Sequence, residues 1–157
     1  MHETLLTTPV ERLAAREPVR VRASTPVLEV VHSMRAAGQG AVLVVGEDDQ
    51  RLIGILTERD LVRASVETDD ESWLGNPVAQ WMRPDPTTVR AGDSLATVIR
   101  RMNAVRFRRL PVLDADGRAV GLVSIRDLLA YLAESFPEEL ANLPPDPAHE
   151  AKRRWGG

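Results

Sequence analysis

The chain contains no cysteine, so disulfides, thiolate metal sites and cysteine nucleophiles are excluded, and a reducing, cytoplasmic setting is the expectation. Histidine occurs only at His2, His32 and His149, with no His/Asp/Glu cluster at ligand spacing, which argues against zinc. Aromatic residues make up 4% of the chain and the net charge is −3, a poor match to a general nucleic-acid binder. No apolar run approaches the roughly 20 residues a membrane helix needs. The start, Met1-His2-Glu3-Thr4-Leu5-Leu6, has no basic region or long apolar run, so no signal peptide is expected. Neither Gly-x-Ser-x-Gly nor a P-loop pattern occurs.

What the chain does have is a duplication. With 157 residues, 43% of them hydrophobic, it can build one compact domain or two joined half-domains. Gly54-Ile55-Leu56-Thr57-Glu58-Arg59-Asp60-Leu61 returns as Gly121-Leu122-Val123-Ser124-Ile125-Arg126-Asp127-Leu128. Pro9-Val10 matches Pro77-Val78 at an offset of 77 − 9 = 68, and Met34, Ala36 and Val44 match Met102, Ala104 and Val112 at the same offset. From Gly54 the offset becomes 121 − 54 = 67. The lost residue falls between Val45 and Leu52, where Gly46-Glu47-Asp48-Asp49-Gln50 and Asp114-Ala115-Asp116-Gly117 both read as turns, which absorb deletions that strands cannot.

Each copy reads in one order. A short helical turn (Val10 to Ala15; Val78 to Met82) stops before Pro18 or Pro86. A short extended segment follows, 19–21 or 87–89. An amphipathic helix carries Val27, Val30, Val31 and Met34, or Leu95, Val98, Ile99 and Met102. Two strands joined by a turn come next, 41–45 with 52–56 and 110–113 with 120–123, Asp116-Gly117 being a hairpin signal. A last helix starts at Thr57 or Ser124. The expected units are repeat one at 9–66, an acidic solvated linker at 67–76, repeat two at 77–135 and a tail at 136–157. The basic end, Lys152-Arg153-Arg154-Trp155, reads as a frayed terminus or a docking element. Trp73 and Trp81 read as packing residues.

A repeated unit of this kind cannot bury its apolar face alone. The two Gly-φ-φ-[Thr/Ser]-x-x-Asp segments, the strand Arg109-Leu110-Pro111-Val112-Leu113-Asp114 and the repeated helix–strand–strand–helix order resemble a pair of CBS (cystathionine-β-synthase) domains, a Bateman module. The resemblance covers about residues 9 to 135. It implies an α/β fold of two β-α-β-β-α repeats packed with pseudo-two-fold symmetry. It also implies two clefts that often bind adenosine-containing ligands, no catalytic activity, pairing into a homodimer, and regulation of another protein. No partner domain is visible, so a stand-alone module is expected.

Nucleotide chemistry selects the candidate residues. Phosphate favours a helix N-terminus, where Thr57 and Ser124 add hydroxyls. A ribose diol suits a carboxylate, here Asp60 and Asp127. The resemblance assigns the hydroxyl residues to phosphate and the aspartates to ribose. An adenine would lie against backbone around Val19–Val21 and Thr88–Val89. Arg108 and Arg109 could give a phosphate chain charge-assisted bonds, and their repeat-one counterparts are Gly40 and Ala41. Arginine abundance allows a plain solvated face instead. Thr57-x-x-Asp60 and Ser124-x-x-Asp127 read equally well as capping boxes. Two functions stand: a sensor of AMP, ADP, ATP or a related adenosyl compound as effector, with no cofactor, or a protein-interaction module without a nucleotide. A nucleic-acid binder using Arg100, Arg101, Arg106, Arg108 and Arg109 is the weakest reading.

Overall fold

The computed structural model describes residues 2–13, 17–48 and 51–138. The basic C-terminal end and most of the expected tail lie outside them. In chain order the elements are α1 (His2–Thr7), β1 (Arg20–Arg22), α2 (Val27–Ala37), β2 (Ala41–Val45), β3 (Leu52–Thr57), α3 (Glu58–Glu67), β4 (Arg83–Pro84), β5 (Val89–Arg90), α4 (Leu95–Val105), β6 (Arg109–Leu113), β7 (Ala119–Ser124) and α5 (Ile125–Ser135). The repeated β-α-β-β-α order is present in both halves. One sheet runs β1-β2-β3-β4 and the other β5-β6-β7. In each, the first strand pairs parallel to the second across its helix, and the second and third form an antiparallel hairpin.

Strand β2 shows how a sheet comes to be buried on both faces. Val42 and Val44 point to the helices and pack with Val30, Met34 and Leu56. Ala41 and Leu43 point the other way and meet Ala119, Leu113 and Leu122 of the second sheet. Alternation with period two therefore gives two apolar faces and a continuous apolar run, and sheet-to-sheet packing joins the repeats. A register shift falls at Val44/Val45 and again at the equivalent Val112/Leu113, each just before the turn. The second turn follows its sequence signal: Asp114 accepts the amides of Asp116 and Arg118, both at 2.9 Å, and Gly117 takes φ 80°.

The leading segments are exchanged between halves. Val10 donates its amide to Asp93 O at 2.8 Å, and Val10 and Leu13 are buried in the core of repeat two. Val78 donates to Thr25 O at 2.8 Å and is buried in the core of repeat one. The bridges Pro9–Ser94 and Pro26–Pro77 repeat the arrangement. Each short turn thus belongs in sequence to one repeat and in space to the other. Helix α1, which the sequence pattern does not signal, packs on α4.

The acidic segment 67–76 is more than the solvated linker its charge suggests. A 3₁₀ turn at Glu71–Gly75, capped by Asp70, buries Trp73 against Val27 and Ala64. Trp73 meets Trp81 edge-on, with centroids 5.5 Å apart. The two tryptophans therefore pack as expected, and the charges cover them. The chain then forms β4 by lying against Gly54: a Cβ there would fall 2.2 Å from Met82 Sδ and 3.1 Å from Arg83 O. Glycine at the head of the repeated motif is required in repeat one for this approach.

Candidate functional site

Both hydroxyl–aspartate pairs form helix caps. In repeat two the Ser124 amide and hydroxyl donate to Asp127 Oδ2 at 2.7 and 2.6 Å, and the Asp127 amide returns a bond to Ser124 Oγ at 3.3 Å. In repeat one the Thr57 amide and hydroxyl donate to Asp60 Oδ2 at 2.9 and 2.6 Å. The next amides are taken by loop carbonyls, Glu58 N to Gly40 O at 3.2 Å and Ile125 N to Arg108 O at 3.0 Å. The hydroxyls expected to donate to phosphate therefore donate to carboxylates, and the helix ends have few N–H groups to spare.

The second carboxylate oxygens differ. Asp60 is buried, with Arg63 on Oδ1 at 3.4 Å and Arg83 on Oδ2 at 3.4 Å. The Arg83 guanidinium also lies over the Phe107 ring, 4.6 Å from its centroid. Asp127 is half-buried, and among the described residues its Oδ1 has no hydrogen-bond or ion-pair partner. In the alignment of the halves Arg83 corresponds to Ala15 (83 − 68 = 15), which lies outside the described residues, and Arg63 to Ala130 (63 + 67 = 130), which offers no charge on α5.

Arg109 opens β6 of repeat two, and Arg108 stands just before it. Arg109 pairs with Ser124 across the β6–β7 ladder and reaches over to repeat one, donating Nη1 to Gly40 O at 3.3 Å. Glu58 and Arg109 both crowd Gly40, at 2.6 and 3.1 Å from where a Cβ would stand. Arg108 is exposed and has no ion-pair partner among the described residues. Arg101 of the nucleic-acid reading is engaged with Thr88 O and Asp93. A cavity of about 400 Å³ opens between the end of α2 and the start of α3, lined by Met34, Gln39, Gly40, Glu58 and neighbours.

The Val21 and Val89 side chains are buried in the cores, and both residues lie within the parallel ladders with Val44 and Val112. Each lies in the outermost strand of its sheet, which pairs on one side only. Just before β1, Gln39 covers the backbone: the Val19 amide donates to Gln39 Oε1 at 3.2 Å, and Gln39 Nε2 donates to Glu17 O at 2.8 Å. This side chain, not singled out by the sequence pattern, makes a donor–acceptor pair like the one an adenine edge would make. Its counterpart is Phe107 (39 + 68 = 107), which cannot. Leu43 donates to Val19 O at 2.9 Å, but its counterpart Pro111 has no N–H, so the equivalent bond to Thr87 O is missing. Thr88 O, by contrast, accepts from Arg101.

The CBS domain family model matches residues 10–67 and again 78–134. The chain belongs to the CBS domain family. It is a tandem CBS pair with the α/β fold of that family. A CBS domain protein from Pyrobaculum aerophilum, complexed with AMP, superposes with TM-score 0.72 at 26% identity, covering 81% of this chain and 99% of that one. CBSX2 in complex with AMP gives TM-score 0.70 at 25% identity, over 80% and 97%. In sequence, a 17.7 kDa protein of Acidianus ambivalens is 29% identical over 147 residues, 94% of this CBS pair and 84% of that protein. Among the described residues no helix is long and apolar enough to cross a membrane.

Proposed function

We propose that this CBS pair is a non-enzymatic regulatory module that binds an adenosine-containing ligand and signals by a change of packing. The observation that carries the reading is that Asp127 Oδ1 has no partner among the described residues, on a helix cap whose ladder partner is Arg109. A ribose diol needs an acceptor with spare lone pairs, and a phosphate needs a cation that is not already neutralised; repeat two has both. The AMP complexes of two relatives of the same fold support adenosine chemistry. Ser124 orients the carboxylate, and the guanidinium of Arg108, without an ion-pair partner among the described residues, supplements Arg109.

Titration with AMP, ADP, ATP, S-adenosylmethionine and NAD, read as thermal shift, tests the reading. A ligand that binds the native state alone raises the melting temperature by mass action. No shift with any of the five would remove it. One observation favours the other function, a protein-interaction module without a nucleotide: Gln39 already satisfies the repeat-one base edge. In that case every nucleotide leaves the melting temperature unchanged.

We also propose that the module is a homodimer. Val62 on α3 and its counterpart Leu129 on α5 are 65% and 61% exposed, and Val66 and Ile125 extend the apolar surface. An isologous contact through these helices would cover it. Light scattering that gives 17.3 kDa at all concentrations would exclude the dimer.

A further inference from the structure

Arg83 makes one ion pair, with Asp60, and one ring contact, with Phe107, and together they link the two repeats. Its guanidinium is held on one side by Asp60 of repeat one, with Nε at 3.4 Å from Oδ2, and on the other by the ring of Phe107 in repeat two at 4.6 Å. Asp60 is the residue equivalent to Asp127, and Phe107 the residue equivalent to Gln39. The guanidinium therefore stands between the carboxylate expected to take a ribose and the side chain beside the base edge. Its backbone is fixed as well, because Arg83 pairs with Ile55 in the first sheet. Arg63 engages the remaining oxygen of Asp60 at 3.4 Å.

We infer that Arg83 closes the Asp60 cleft from within, so that the module takes one adenosyl ligand per chain, at Asp127. This rests on the nucleotide reading above and adds to it the stoichiometry and the residue that sets it. A ribose at Asp60 would have to displace two arginines from a buried carboxylate and leave that charge without its partners. The residues aligned with these arginines in the other half are Ala15 and Ala130, and among the described residues no ion pair at Asp127 is displaced. The same bridge ties the cap of α3 to the segment 106–108 that leads into Arg109. A ligand that draws Arg108 and Arg109 inward would thus pull on Phe107 and on the contact it makes with Arg83.

Calorimetric titration of the full chain with AMP tests the inference. Wild type should bind one AMP per chain, Asp127→Ala should bind it about tenfold or more weakly, and Arg83→Ala should bind two. Two sites in wild type, or one site in a folded Arg83→Ala, overturns the closure. If Arg83→Ala melts below the assay temperature, Arg83→Gln keeps the stem, removes the charge and carries the same expectation. Should no nucleotide bind to any variant, the nucleotide reading fails, and the closure is judged by a ligand-free cycle. Melting temperatures of Arg83→Ala, Phe107→Ala and the double variant should then be non-additive, because one removal already breaks the contact. Additive losses would mean that Arg83 does not bridge the two repeats.

Discussion

Asp60 and Asp127 occupy equivalent positions, cap equivalent helices and accept bonds from equivalent hydroxyl and amide groups. Their surroundings have diverged. Asp60 is buried with two arginines; Asp127 has, among the described residues, one oxygen without a partner and no ion pair, and Arg109 lies across the ladder from its cap. Duplication supplied two capping boxes, and four positions separate their roles: Arg63 against Ala130, Arg83 against Ala15, and Arg108 and Arg109 against Gly40 and Ala41. A cap whose second oxygen is held by an arginine is a structural joint. A cap with one oxygen to spare can also bind.

The comparison presumes that the halves are one body, and the largest effect should come from separating them. A fragment of residues 77–135 lacks Val10 and Leu13, which fill its core, and exposes the sheet face that meets Leu43 and Ile55. It should be poorly folded or self-associating by circular dichroism and size exclusion. A stable monomeric half would break the exchange of leading segments.

Next in size is the difference between the two caps. Asp60→Ala should cost on the order of 2–3 kcal/mol in urea unfolding, from loss of the cap and from stranding Arg83 beside a buried site. The 34% and 56% exposure of Arg83 and Arg63 keeps the figure below that of a fully buried pair. Asp127→Ala loses only a cap and should cost about 1 kcal/mol. Equal costs would mean that the arginines contribute nothing and that the two caps do the same work.

A smaller effect sharpens the divergence in the other direction. Helix α2 ends on Gly38 at φ 61°, whereas α4 ends on Arg106 at φ 54°, where a Cβ is unfavourable. Arg106→Gly should stabilise the protein by about 1 kcal/mol. No gain would show that the Arg106 side chain makes up for its backbone. The smallest expected change is in affinity: Gln39→Ala frees the Val19 amide and the Glu17 carbonyl and should tighten AMP binding severalfold, while the fold is kept. A weaker complex would make Gln39 a ligand contact instead of a competitor.

Much of the fold was legible in the sequence, because the repeat carried it: the helix stripes, the hairpins and both capping boxes follow from local patterns that occur twice. What period and spacing could not show was where those patterns go. Val10 and Val78 have the same sequence role in each repeat, and nothing local says that each docks on the other half. Trp73 is surrounded by acidic residues, so charge concealed a packing element. At the site, the capping and binding readings of Asp60 and Asp127 were alike in sequence, and only ion pairs formed over 20 or so residues of intervening chain distinguish them. Yet the signal was there to be aligned, in Ala15 and Ala130. Gln39 escaped notice because a neutral amide in a glycine-flanked loop has no motif, and its meaning appears only once Glu17 and Val19 lie beside it.

The central claim is that the Oδ1 carboxylate oxygen of Asp127 holds a ribose. Calorimetric titration of AMP into wild type and Asp127→Ala, with melting temperatures confirming that both are folded, tests it most directly. Loss of the hydrogen bonds that Asp127 accepts should weaken binding by on the order of 1–3 kcal/mol, a tenfold effect or more, with a smaller change in melting temperature. Equal affinity in the two proteins would contradict the assignment and place the ligand elsewhere.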